Sequence, residues 1–394
     1  MVQNACMSQN NEDFSVAQKL EKYIPKLHIP YEKFITRAVE GVLKSGTVHM
    51  TEIGRASREE LESASSLKYV KRNLENEHWK DLEVYQYFWK QMSSQFIQPT
   101  SVLSIDLGDI AKPGATQMEA LAKVWDGSQQ DTTQGYSTLE IIGVTEKGKQ
   151  KPLLLYPFSS TEQGFLSQNR VVETWLQLLF AVIGRQGIIT SDRGFLWPEY
   201  IRMLSEYATD LVLRLKVDTP LVRYGVSKPV SEWVSEVAFT DKRHFKNAKG
   251  QPVWIYMGYL PVQYKDLTRP MYLVVVKCSW LKKPMYMLTT INPRYRGNLR
   301  RIRRIYCLRW GIEEYGRFVK QGFELEDVRV RNLYALRRLC LLCVLAFWVL
   351  EIIRHGGGAL LKRILSLARP QPKQVKFQYY RILKGLQMYL SAFP

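Results

Sequence analysis

The chain has 394 residues, 46% hydrophobic and 24% charged, enough for two or three domains and a large buried core. Lys and Arg outnumber Asp and Glu by 56 to 37, a net charge of +19, which favours nucleic acid as partner over an anionic membrane surface. Five cysteines do not form a disulfide framework, and the longest apolar run, 339–350, is too short to span a bilayer. Because the N-terminus also lacks a signal-peptide core, we expect a cytoplasmic protein with no membrane association.

Residues 1–98 predict a helical N-terminal region. Three short helices are expected there, the last at about 66–76, and this one carries Lys68, Lys71 and Arg72. A basic last helix of three is typical of helix-turn-helix-like DNA binders. A small bundle with a solvated charged face is the alternative. We therefore predict a DNA-binding region.

Residues 99–216 change to alternating strand and helix patterns. Strands are expected at 101–106, 136–144, 152–158, 187–192 and 210–216, and helices at 169–184 and 197–207. This order predicts an α/β layer with a mixed sheet. Two of the strands end in a carboxylate, at Asp106 and Asp192.

Three further segments complete the predicted domain organisation. Residues 217–290 have strand-like runs at 253–260, 271–278 and 285–290 and almost no helical signal, so they are expected to form a β-rich insertion. Residues 291–355 return to helix from Asn298. Residues 356–394 are expected to form a helical C-terminal tail.

Four polar residues share one predicted helical stripe. Tyr306, Arg309, Glu313 and Lys320 stand at offsets 0, 3, 7 and 14, which an α-helix projects within an arc of about 60°. Such a stripe is unusual for a core but suits a metal ion and a phosphodiester. Glu314 would project away from it, which favours Glu313.

Asp106, Asp192 and Glu313 are the candidate catalytic acids. Hard divalent cations prefer carboxylate oxygens, and three carboxylates could hold two Mg²⁺ or Mn²⁺ ions for an in-line displacement at phosphorus. Each acid also has an ordinary interpretation. A strand-end Asp is commonly a cap or turn former, and Glu313 could form a weak surface ion pair with Arg309. Asp109 is an alternative to Asp106.

These residues resemble the DDE transposases of bacterial insertion sequences, in the cut-and-paste group with the YREK signature. The signature Y-x2-R-x3-E-x6-K is complete from Tyr306 to Lys320. The stretches 106–113 (DLGDIAKP) and 192–195 (DRGF) resemble the two Asp motifs of the group. The resemblance covers about residues 45–350.

The resemblance implies a ribonuclease-H-like core with catalytic Asp106, Asp192 and Glu313, interrupted by the β-rich insertion. It implies that Tyr306, Arg309 and Lys320 contact the DNA backbone near the cut. Similar enzymes cut through a DNA hairpin, aided by an aromatic residue that stacks on a flipped base. The candidates for that role are Trp280 and Tyr286.

Basic residues immediately before the signature form the densest cationic cluster of the chain. A solvated charged face is the alternative to backbone contact there. The cluster consists of Arg300, Arg301, Arg303 and Arg304.

The sequence thus predicts a transposase that binds the terminal inverted repeats of its element, cleaves them with divalent metal and transfers the strands to target DNA. A homodimer is expected to pair the two ends. Two alternatives stay open: a catalytically silent, transposase-derived regulator and a structure-specific nuclease of the same fold. The expected location is the bacterial cytoplasm, on the nucleoid when bound to DNA.

Overall fold

The structure is a computed structural model. It describes residues 14–57, 63–127, 129–145, 148–246, 250–265, 267–356, 358–370 and 377–392. The polar N-terminal stretch and Cys6, which entered the prediction of compartment, lie outside these ranges. The other four cysteines are free thiols.

The N-terminal region is helical, as predicted. Arg338 ties it to the remainder of the chain: this buried side chain donates to the carbonyl oxygens of Leu74 and Trp79, each at 2.6 Å. Gly46 ends the second helix in the left-handed conformation, with φ of 75°. The helices are α1 (Val16–Leu20), α2 (Ile29–Ser45), α3 (Met50–Ser57), α4 (Ser63–Leu74) and α5 (Asp81–Gln95), with a 3₁₀ turn at Glu21–Tyr23.

The central region is a mixed sheet flanked by helices. Its strands are β1 (Val102–Ala111), β2 (Ala122–Asp126), β3 (Asp131–Val144), β4 (Gln150–Phe158), β5 (Ile188–Ser191) and β6 (Asp210–Arg214). Its helices are α6 (Gln168–Ile183) and α7 (Pro198–Tyr207), with a 3₁₀ turn at Arg193–Phe195.

Strand order confirms the predicted ribonuclease-H-like core. The strands run β4-β3-β1-β5-β6, with β3 antiparallel to both β4 and β1, and with β5 parallel to both β1 and β6. Each parallel connection carries a helix, as such crossovers require. Gly184 ends α6, as the sequence predicted, and the Ser167 side chain caps its start.

Three strands of the central region differ from the sequence-based prediction, and the simplest case is β3, which begins at Asp131 rather than at 136. β1 does not end at Asp106 but continues to Ala111, because its pairing with β3 persists as far as Ala111 opposite Gly135. Asp106 therefore lies in the middle of a strand. β2 was not predicted; it is a short edge strand whose side chains alternate between buried and exposed. Asp192 does follow directly after β5, as expected.

The segment expected to be a β-rich insertion extends the core sheet. β12 pairs antiparallel with β6, and the sheet continues through β11 and β10 to its edge at β9. A separate hairpin of β7 and β8 precedes these strands. The elements are β7 (Pro220–Arg223), β8 (Val226–Pro229), α8 (Val230–Trp233), a 3₁₀ turn (Val234–Glu236), β9 (Phe239–Lys246), β10 (Pro252–Val262), β11 (Met271–Cys278) and β12 (Met285–Thr289).

Helices complete the chain. They are α9 (Asn298–Leu308), α10 (Trp310–Gly322), α11 (Leu333–Gly356), α12 (Gly358–Leu367) and α13 (Tyr379–Ala392). α11 is the central core helix and buries Cys340 and Cys343 as predicted. Within the described ranges, no helix is both long enough and apolar enough to cross a membrane.

Candidate functional site

The predicted signature stripe is carried by two helices. α9 ends at Leu308 and α10 begins at Trp310, with Arg309 between them in helical conformation. The Arg309 amide donates to the Tyr306 carbonyl three residues back, which marks a tightened turn at this joint. The predicted continuous helix is therefore interrupted, but Arg309 and the residues on either side keep to one side of the sheet, facing β1.

Arg309 joins two of the three candidate acids. Its Nη1 donates to Asp106 Oδ2 at 3.0 Å, and its Nη2 donates to Glu313 Oε1. Only 8% of Arg309 is exposed, so these contacts lie in a poorly hydrated environment. The strand acid and the helix acid thus converge on one positive charge.

The third acid stands beside the first. β1 and β5 are paired in parallel as far as Ile105 and Ser191, so Asp106 and Asp192 are the next residues of neighbouring strands. The Tyr306 hydroxyl donates to Asp192 Oδ1 at 3.4 Å and accepts from Arg214 Nη1 at 3.4 Å. The sequence-based search missed Arg214, whose signal was its position at the end of β6.

Burial and neighbouring charges alter the titration of the first acid. Burial raises the pKa of Asp106 to about 6, against the opposing effects of the Arg309 guanidinium and the Leu107 amide. The carboxylates of Glu313 and Asp192 contribute to this upward shift of the pKa. Both acids are therefore near enough to act electrostatically on Asp106.

A fourth carboxylate lies beneath this group and was missed by the sequence-based search. Glu140 of β3 is directly opposite Asp106 of β1 and is only 6% exposed. Burial raises its pKa to about 7, and the Asp106 carboxylate adds to this, while Lys320 opposes it. A single acid within the apolar run 139–144 was the signal that could have identified it.

Lys320 contacts carboxylates in this structure. Its Nζ lies 3.2 Å from Asp109 Oδ2 and 3.4 Å from Glu326 Oε1. Burial lowers the pKa of Lys320, but Glu326 and Asp109 raise it more, so its net shift is upward. Asp109, which the sequence offered as an alternative to Asp106 for the catalytic role, is thus the partner of Lys320.

A cavity of about 640 Å³ opens over these groups. Asp106, Glu140, Glu313 and Lys320 line it. A larger cavity, of about 800 Å³, lies among α1, α5 and α11, but none of the three candidate acids lines it. Size therefore does not identify the site; the convergence of charged side chains does.

The three acids fit a hard divalent cation by their chemistry. They offer carboxylate oxygens, and two of them already share the guanidinium of Arg309. With the side chains as they stand, the described residues contain no group of three His, Cys, Asp or Glu that could hold a metal ion.

The remaining predicted DNA-binding residues lie elsewhere. Lys68, Lys71 and Arg72 are all exposed on α4. In α9, Leu299, Ile302 and Ile305 pack against the sheet. The arginines lie outside this buried stripe: Arg300 and Arg304 are exposed and Arg301 and Arg303 are half-buried.

One of those arginines and both candidate aromatic residues have neighbours within the protein. Arg300 Nε donates to Asp241 Oδ2 at 2.7 Å. Trp280 is 50% exposed and meets Phe245 edge-on, with ring centroids 6.0 Å apart. Tyr286 is half-buried against the core. Trp280 is therefore the more accessible ring.

Comparison with known proteins gives a family match and similar solved structures. Residues 163–349 match the family described as the transposase DDE domain, a span that includes Asp192 and the whole signature but begins after Asp106. No curated protein matched. The cryo-EM structure of a piggyBac transposase synaptic complex with hairpin DNA is similar at 11% identity and a TM-score of 0.47, over 93% of this chain and 72% of that one.

Proposed function

Because the chain carries a transposase DDE domain, we propose that it mobilises its own insertion sequence by cut-and-paste transposition. In this proposal the enzyme binds the terminal inverted repeats, cleaves them and joins the freed ends to target DNA. A homodimer pairs the two ends. The reaction takes place on the bacterial nucleoid.

The convergence of three acids from β1, β5 and α10 on Arg309 and Tyr306 is the observation that carries this proposal. The acids come from positions 106, 192 and 313, which nothing but the fold brings together. Strand cleavage forms a bond from a water oxygen to phosphorus and breaks the bond to the 3′ oxygen. The released 3′-hydroxyl then attacks a second phosphodiester in the same way.

Asp106, Asp192 and Glu313 would hold the divalent ions, two Mg²⁺ or Mn²⁺. When bound, such ions stabilise the charge on the entering and leaving oxygens and lower the pKa of water. The chain itself orients the substrate. Arg309, which holds Asp106 and Glu313 in this structure, would offer a planar guanidinium to phosphate oxygens, and the ammonium of Lys320 lines the cavity.

Basic surfaces on α4 and α9 supply the wider DNA contacts in this proposal. The exposed Lys68, Lys71 and Arg72 would bind the end sequence, and the arginines of α9 would contact the backbone near the cut. Of the two candidate rings, Trp280 is the better suited to stack on a flipped base of a hairpin end, because half of its surface is exposed.

Cleavage of DNA carrying the element's ends, with Mg²⁺, tests the proposal. Asp106→Ala, Asp192→Ala and Glu313→Ala should each abolish cleavage while binding to the same DNA persists. Asp218→Ala, in an exposed turn of the chain, is the matched control and should cleave like the unaltered protein. Normal cleavage by the Glu313 variant would refute the assignment.

Strand transfer into a target plasmid separates the proposal from its alternatives. A structure-specific nuclease would leave breaks without joined products. A silent regulator would bind the ends and nick nothing, even with Mn²⁺. Joined products that depend on all three acids would support transposition.

A further inference from the structure

The outer part of the sheet, formed by β9, β10 and β11, has two unlike faces. Ile255 and Met257 of β10 pack on one face against Ile302 and Ile305 of α9. Because side chains alternate along a strand, those of the even-numbered residues of β10 project from the opposite face. That second face is turned away from α9, which leads into Arg309.

The second face is covered only in part. Val237 and Ala238 stand against Gly258 of β10, where a Cβ would lie 2.6 Å from Val237 Cγ1 and 2.4 Å from the Ala238 carbonyl oxygen. Beyond Gly258, toward Pro252, the side chains of this face become more exposed. Tyr256 is half-buried and Trp254 is 44% exposed.

Aromatic and basic side chains alternate on the uncovered part. Trp254 lies opposite His244 of β9, with ring centroids 4.4 Å apart. Tyr256 lies between Lys242 of β9 and Lys277 of β11 in the strand pairing. The Trp254 and Tyr256 rings are 6.4 Å apart and nearly parallel, at 19°. They form two adjacent platforms flanked by cations.

The described strands β9, β10 and β11 place no acid on this face. Within β9, β10 and β11 the one acid is Asp241, which belongs to the other face and pairs there with Arg300 and Arg243. The exposed lysines of the second face therefore form an uncompensated positive surface. An anionic, ring-containing partner complements it in both charge and chemistry.

We propose that this face, formed by Lys242, His244, Trp254, Tyr256 and Lys277, binds an unpaired DNA strand. Bases would stack on the two rings and phosphates would lie against the lysines. In an intact duplex, base faces are already stacked, so rings on a flat sheet cannot reach them. This inference rests on the proposed function, because it gives the same enzyme a second DNA contact.

Protection of a sheet edge is the competing explanation. Lysines on an edge strand prevent pairing with another sheet, which would account for Lys242 on β9. It does not account for Trp254, which lies on the inner strand β10 and would promote rather than prevent association. The exposed ring is therefore the feature that favours a ligand.

Fluorescence anisotropy without divalent metal tests the proposal, using a labelled oligothymidine strand and a duplex of equal length. Trp254→Ala should weaken binding of the single strand by about ten-fold or more and that of the duplex much less. Trp254→Phe, which keeps a ring, should retain most of the affinity. Trp125→Ala, which removes a 59% exposed ring from β2, is the control and should bind normally.

Unchanged affinity of the Trp254→Ala protein for the single strand would overturn the proposal, as would an equal loss in the Trp125→Ala protein or no binding of oligothymidine at all. Lys242→Gln and Lys277→Gln should each reduce the salt slope of single-strand binding by about 0.7. The Asp106→Ala protein should bind the strand normally. If the unaltered protein does not cleave end DNA, the proposed function is refuted. If single-strand binding does not depend on the Trp254 ring, only the proposal for this surface is refuted.

Discussion

Asp106 and Glu140 lie directly opposite each other in the antiparallel pairing of β1 and β3, so two carboxyl groups share one buried position. One is a candidate catalytic acid and the other is nearly inaccessible. Two glycines make room for Glu140: a Cβ at Gly108 would lie 2.8 Å from its Oε1, and one at Gly316 would lie 2.7 Å from its Oε2. Glu140 thus occupies the space between β1 and α10.

Replacing Glu140 by Gln should stabilise the protein at high pH. Because burial raises the folded-state pKa of Glu140 to about 7, the folded protein binds this proton more tightly than the unfolded chain does. Its carboxyl group therefore contributes stability at low pH that is lost as the pH rises through 7. Glu140→Gln removes that loss. The free energy of unfolding of the variant should therefore exceed that of the unaltered protein by near zero at about pH 4 and by as much as about 3 kcal/mol at about pH 8.

Urea unfolding across this pH range measures the effect. Glu83→Gln, an exposed change on α5, is the matched control and should leave the dependence of stability on pH unaltered. A Glu140→Gln protein that is less stable than the unaltered protein at high pH would contradict the account of a buried, charge-destabilised carboxylate.

Gly316→Ala should destabilise the protein despite a better helix former. Alanine in a helix interior is favoured over glycine by about 1 kcal/mol, whereas overpacking a core costs about 1–3 kcal/mol. The new methyl group would collide with the Glu140 carboxylate. We expect a net loss of about 1 kcal/mol, measured by urea unfolding.

Adding Glu140→Ser to Gly316→Ala should recover that loss, because the shorter side chain vacates the space. Gly358→Ala is the control: among the described residues, no atom outside its own helix and chain neighbours lies within 4 Å of a Cβ there. Additive effects of the two changes, with no recovery, would show that the Glu140 carboxylate is not what Gly316 accommodates.

Lys112→Met should lower stability by about 2–5 kcal/mol, since it leaves three buried carbonyl groups without a donor. The fully buried Lys112 ammonium donates to the carbonyl oxygens of Leu325, Glu326 and Val328 at 2.6, 2.9 and 2.7 Å. It thereby ties the end of β1 to the loop after α10. Chemical unfolding checks this, with Lys123→Met on the exposed side of β2 as control. Equal stability of the two variants would show that the hydrogen bonds from Lys112 to the loop after α10 do not stabilise the fold.

Neutralising the basic face of α4 should change the salt dependence of end-DNA binding. If Lys68, Lys71 and Arg72 each contact a phosphate, replacing all three by Gln should reduce the slope of log affinity against log salt by about 0.9 for each, or nearly 3 in total. Lys90→Gln, an exposed change on α5, is the control. An unaltered slope in the triple variant would remove α4 from the DNA-binding surface.

Local patterns were sufficient for most of the fold. The apolar period of α6, its terminal Gly184 and the β-forming runs of β3, β4 and β5 predicted those elements, and their order predicted an α/β layer with a mixed sheet. The ribonuclease-H-like topology was implied by the resemblance of the signature residues to a known family. β2 escaped prediction because a five-residue edge strand with one buried face has little pattern of its own. The predicted end of β1 was wrong because the length of this strand depends on its pairing with a strand some 25 residues away in the chain.

The sequence by itself identified residues that could do chemistry here, because helix geometry converts the spacing from Tyr306 to Lys320 into one shared direction of projection. Tertiary structure decided what those residues touch. The Arg309–Glu313 pair is local, four residues apart, and was foreseen from the spacing. In contrast, Arg309 contacts Asp106, Lys320 contacts Asp109 and Glu140 lies opposite Asp106, because the packing of α10 on β1 and β3 brings distant segments together. Such long-range approach leaves no periodic trace in the chain, whereas the helical stripe does.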